Sequence, residues 1–72
     1  MSGSRPIEDY LDKLWRELPG GRRFKRCVLT EVADHLREGV WHEREGGVPA
    51  LEAERWVIER FGSPRLVARR FA

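Results

Sequence analysis

Cys27 is the only cysteine in the 72 residues, so no disulfide can form within the chain. An unpaired thiol is the ordinary pattern of a reducing, intracellular compartment. Histidine occurs twice, as His35 and His42. That supply offers neither a paired-cysteine nor an HExxH metal motif. No apolar run approaches the ~18 residues that a bilayer span requires. Residues 1–20 are amphipathic and charged, unlike a signal peptide. Strand-like alternation, low-complexity runs and internal repeats are all absent. The serines stand at positions 2, 4 and 63, and Ser63 fits a helix cap better than a nucleophile. No nucleophile–base or acid–base constellation is visible, and the sequence is read as non-catalytic with no cofactor and no metal.

What is present points to one small soluble helical domain. Apolar residues make up 40% and charged residues 36%, with the two signs interleaved along the chain. That balance suits a charged surface over a compact core. The net charge of +2 is far weaker than the footprint of a dedicated nucleic-acid binder. Residues 1–5 are small and polar and read as a loose leader to a single domain over 6–72. The chain ends on a basic helix without a terminator, as a piece of a longer protein would.

Glycine and proline cut the chain into four helical pieces. Pro6 fits a first helical turn, with Glu8 and Asp9 where the helix dipole favours negative charge. Ile7, Tyr10, Leu11, Leu14, Trp15 and Leu18 then form one apolar stripe over a helix at about 6–18. Leu18-Pro19-Gly20-Gly21 ends it. The spacing predicts a long second helix over about 22–45, from the row Phe24, Val28, Val32, Leu36 and Val40, flanked by Cys27, Leu29 and Ala33. At 1.5 Å per residue it is roughly 35 Å long and must outrun its shorter neighbours. Gly39 weakens it by about 1 kcal/mol relative to alanine but permits close approach of another helix. After Gly46-Gly47, a third helix over about 50–61 carries Ala53, Val57 and Phe61 at four-residue steps.

Phe61-Gly62-Ser63-Pro64 is the most tightly specified turn. Gly62 can take a positive φ past a helix end, Ser63 can cap the next helix, and Pro64 suits its first turn. A short fourth helix over about 64–71 follows, with Leu66, Val67 and Phe71 expected to be buried. The whole is an all-α bundle of three main helices and a short fourth, packed around the second. Helix four is expected to fold back onto helices two and three, close to His35.

Several residues invite a functional reading. Cys27, Glu31 and His35 lie at four-residue steps, so a metal reading is conceivable. The structural reading has Cys27 packed as a small apolar group and His35 partly buried, bonded to Glu31 or to a carbonyl near the Gly62 turn. Three tryptophans exceed what so small a core easily hides. Trp15 is expected in the core and Trp56 against the second helix. Trp41 is balanced between burial and exposure. Val40, Trp41, Leu51 and Trp56 form the candidate interface, for a partner helix or a homodimer. Arg22, Arg23, Lys25 and Arg26 form a basic cluster, and Arg65, Arg69 and Arg70 another. Together with the outline of helix three, turn and helix four, they make a small DNA-binding domain the rival reading. Against it, helix four is half apolar and lacks side chains suited to base edges.

The second half also carries a motif series. It reads Glu31-Val32-Ala33-Asp34-His35-Leu36, then Gly47, then Ala53, then Phe61-Gly62-Ser63-Pro64 and Ala68-Arg69-Arg70-Phe71. This resembles the HAAS-type and permease-prefix domains of bacterial membrane proteins, with each interval matched without gaps over residues 31–71. The resemblance assigns motif positions to Glu31, His35, Leu36, Gly47, Ala53, Phe61, Gly62, Ser63, Pro64 and Ala68. One departure is Pro49-Ala50-Leu51-Glu52, where the family usually has Ser or Thr followed by Pro-Glu-Glu. It removes a side-chain cap worth about 1 kcal/mol and replaces a charged residue with Leu51. The resemblance implies a cytoplasmic, non-catalytic regulatory module at the inner face of the membrane. It implies a protein partner, either a PadR-like transcriptional regulator or the membrane domain of a parent chain, with membrane contact only through that parent.

Overall fold

Two leucines of the predicted stripes, Leu14 and Leu36, have no solvent-accessible surface and belong to one core cluster. The computed structural model describes residues 5–71. The expected loose leader therefore falls, except for Arg5, outside the described residues, as does Ala72. Four helices follow one another: α1 (Pro6–Glu17), α2 (Arg22–Glu45), α3 (Ala50–Phe61) and α4 (Pro64–Arg70). Their bounds meet the sequence expectation to within one residue. Leu18 and Phe71 fall just outside, as C-caps of α1 and α4.

The core joins the α1 stripe of Ile7, Tyr10, Leu14 and Leu18 to Val28, Val32 and Leu36 of α2, Val57 of α3, and Val67 and Ala68 of α4. No polar or charged residue is buried among the described ones. The longest dimension, 38 Å, is about that of a 24-residue helix. As expected, α2 outruns the rest. Its buried positions span only Val28 to Leu36, and both ends stand in solvent.

The hub, however, is α1 and not α2. α1 packs against all three other helices, whereas α2 meets only α1 and α3. α4 folds onto α1 alone, not onto α2 and α3 as expected. Arg65 Nε lies 3.8 Å from a Glu17 carboxylate oxygen at that contact. A helix with one apolar stripe must bury it, but the stripe does not say against which neighbour. Val67 and Ala68 find the α1 stripe, and Leu66 is left 54% exposed, contrary to the expectation of burial.

Where α2 crosses α3, glycine is a matter of space. A Cβ on Gly39 would stand 3.0 Å from Val57 Cγ1 and 3.2 Å from Cγ2. Val57 is β-branched and stiff at χ1, so it cannot swing away cheaply. The helix-propensity cost of Gly39 thus allows a closer helix contact.

Helix starts are satisfied unequally. Ser63 Oγ accepts from Leu66 N at 3.3 Å, the cap expected from sequence. α3 opens at Pro49 with no side-chain cap, also as expected. α1 has no cap from Arg5, yet Ile7 N donates to Glu54 Oε1 of α3 at 3.4 Å. A carboxylate from 47 residues away serves one of the orphan donors of the first turn.

Candidate functional site

The motif residues of the second half do not converge on one place. Leu36, Ala53 and Ala68 are core side chains, and Phe61 packs partly buried against them. Glu31 and His35 instead face solvent. The expected bond from His35 to Glu31 or to a carbonyl near the Gly62 turn is not formed. His35 lies one residue, about 100° of helical rotation, from Leu36, and this carries it off the buried arc. Cys27 is likewise exposed rather than packed. Among the described residues, no three His, Cys, Asp or Glu side chains come together as a metal site.

The Gly62 turn has tertiary partners of its own. Gly62 has φ 111° and ψ 168°, a conformation that L side chains rarely adopt. Its carbonyl accepts a 2.8 Å hydrogen bond from the Tyr10 hydroxyl on α1. The Tyr10 ring meets Phe61 edge-on, with centroids 6.2 Å apart. Beside it opens a cleft of about 420 Å³, walled by Pro6, Ile58 and Pro64, with Asp9, Lys13 and Glu59 at its rim. The motif turn is therefore pinned by the amino-terminal helix.

Burial pushes the Tyr10 hydroxyl from its ordinary 10.0 up to about 12, against a smaller lowering pull from Arg70. A raised folded value means that stability from the neutral phenol is complete below pH ~10 and is lost as pH climbs through about 12. Tyr10 is the only tyrosine, so its phenolate absorption reports this group alone. Wild type should lose stability across that window and Tyr10→Phe should not. Parallel alkaline unfolding curves for the two proteins would mean that the phenol is not sequestered.

One tryptophan is half-buried and two are exposed. Trp15 is half-buried rather than in the core, with Lys25 Nζ 5.1 Å from its ring centroid. Trp41 is 57% exposed and Trp56 48%, the latter against the expectation of burial. With α4 docked on α1, α3 has only α1 and α2 as neighbours, and the Trp56 side stays open. Leu51 is 46% exposed, as its place at the uncapped start of α3 suggested, while Val40 is partly buried against the core.

Charge of one sign gathers in two segments of the chain. Between Lys13 and Arg26 the one carboxylate is Glu17, against Lys13, Arg16, Arg22, Arg23, Lys25 and Arg26. α4 adds Arg65, Arg69 and Arg70 with no acid. The Arg65–Glu17 contact sets the start of α4 beside the end of α1, which leads directly into α2. This brings Arg65 near the turn that leads into the basic start of α2, while Arg70 lies close enough to Tyr10, farther back on α1, to act on its phenol. The first turn of α2 holds no acid although the helix dipole favours one there. Elsewhere, Arg60 of α3 donates to the Glu43 carboxylate of α2.

No family model matches this chain, and no curated protein or solved structure matches it.

Proposed function

We propose that this bundle is a non-catalytic regulatory module that acts by protein–protein contact, of the HAAS and permease-prefix kind. In this reading it works on the cytosolic side of a bacterial membrane protein, through a PadR-like regulator or the parent's membrane domain. The observation that carries the reading is the exposure of Trp41, Leu51 and Trp56, which with Phe24 and Leu66 are the large apolar side chains left in solvent among the described residues. Large aromatic side chains left in water are typical anchors for a partner surface. The gapless motif series over residues 31–71 supports the family placement, and within it Leu36, Ala53, Ala68 and the Gly62 turn have structural work. The test is capture of a PadR-like regulator by the wild-type domain and by Trp41→Ala and Leu51→Ala. Loss of at least about 1 kcal/mol of binding on either truncation is expected. Equal binding by all three proteins overturns the surface assignment.

A second reading, nucleic-acid contact, is favoured by two basic segments without an acid, residues 22–26 and 64–70. It predicts affinity for duplex DNA that falls steeply with salt as counterions are released. α4 is committed to α1, so α3 and α4 are not a free helix-turn-helix unit. Failure to shift duplex DNA at low salt removes this reading.

A further inference from the structure

The solvent face of α2 carries its charges in a self-complementary order. Arg23 and Arg26 come first, Cys27 and Thr30 lie in the middle, and Glu31 and Asp34 follow. All six are exposed. Alternating steps of three and one residues place them on one side of the helix, opposite Val28, Val32 and Leu36. Within the helix the two arginines have no acid at the neighbouring positions, whereas Asp34 has Arg37 three residues on and Glu31 has His35 four on, without forming an ion pair with either. Three and four residues after Arg23 stand Arg26 and Cys27, and after Arg26 stand Leu29 and Thr30. None of the four charges enters an ion pair among the described residues. At the centre of the strip is a shallow depression of about 450 Å³, lined by Arg26, Cys27, Thr30, Glu31 and Asp34.

The geometry points to a second copy of this chain as the occupant of that face, in a two-fold dimer with the two α2 helices antiparallel. A two-fold contact is isologous, so each copy presents the same patch. Antiparallel pairing centred between Cys27 and Thr30 sets Arg23 against the partner's Asp34 and Arg26 against the partner's Glu31, twice over. Parallel pairing in register sets like charge on like. The small Cys27 and Thr30 side chains at the centre permit close approach of the helices. A polyanionic surface would satisfy the arginines but repel Glu31 and Asp34. A second copy satisfies both halves of the strip. This inference concerns self-association and stands or falls apart from the regulatory reading above.

Sedimentation of the whole protein tests it. In about 20 mM salt, the mass should rise from 8.4 kDa toward twice that value as concentration increases to about 1 mM. In about 500 mM salt the dissociation constant should weaken at least tenfold. The double variants Arg23→Glu/Arg26→Glu and Glu31→Arg/Asp34→Arg should each be monomeric, and their equimolar mixture should associate again. All four positions are exposed, so both variants should keep the helical fold. A short bis-maleimide should link two wild-type chains through Cys27, and should link no chains of either double variant alone. A wild-type monomer at about 1 mM in low salt, a dimer indifferent to both charge reversals, or a mixture that stays monomeric overturns the proposal.

Discussion

Leu36→Ala is expected to lower stability by about 2–5 kcal/mol, enough to leave the domain largely unfolded near its working temperature. Leu36 has no accessible surface and sits in the row formed by Val28 and Val32. Truncation removes its transfer free energy and leaves a cavity that a bundle of rigid helices closes only in part. A domain of this size retains only a few kcal/mol of net stability, so one such loss consumes most of it. Each 1 kcal/mol corresponds to about 4–8 °C in Tm for a domain of this length. Thermal unfolding followed by helical circular dichroism should therefore show a fall of roughly 10 °C or more. Leu51→Ala serves as the contrast. Leu51 is half in solvent, and its truncation should cost no more than about 0.5 kcal/mol. If Leu36→Ala melted with the parent protein, the core would not be centred where α1 and α2 meet.

Gly62→Val should be the second most damaging change, for a different reason. Apart from its chain neighbours Phe61 and Ser63, no residue comes within 4 Å of where a Cβ would stand, so the side chain has room. The cost is in the backbone, because φ 111° with ψ 168° is open to glycine and strained for any L side chain. About 1–3 kcal/mol is expected, rising within that range for the β-branched valine. Escape from the strain would rotate the Gly62 carbonyl away from Tyr10 and loosen α4 from α1. Gly62→Ala should lose nearly as much, since strain and not crowding sets the penalty. A Gly62→Val protein with the parent's melting temperature would show that the turn takes another conformation.

The candidate surface was only partly legible. Leu51 stood out because it replaces a charged residue at a helix start, and it is exposed. Trp56 lies one residue off the row of Ala53, Val57 and Phe61, and periodicity alone leaves such an edge position undecided. Its exposure follows from where α4 goes, a choice made elsewhere in the chain. His35, expected partly buried beside Leu36 on the inner edge of the helix, is exposed because a step of one residue from Leu36 turns it to solvent. The self-complementary strip on α2 was in plain sequence, but its charges could be called unpaired only once each side chain had a position.

By itself the sequence determined four helices and their ends, because helix signals are local. Pro6, Gly20-Gly21, Gly46-Gly47 and Gly62-Ser63-Pro64 act through the φ, N–H and cap of their own or neighbouring residues. It also determined most of the core, because a stripe at helical spacing must be buried somewhere. Tertiary structure alone decided the neighbours: α1 as the hub, α4 against α1, Tyr10 on the Gly62 carbonyl, and Glu54 at the uncapped start of α1. The hydrophobic effect that drives burial is non-directional. Only shape, hydrogen-bond reach and the lengths of the turns select which stripe meets which.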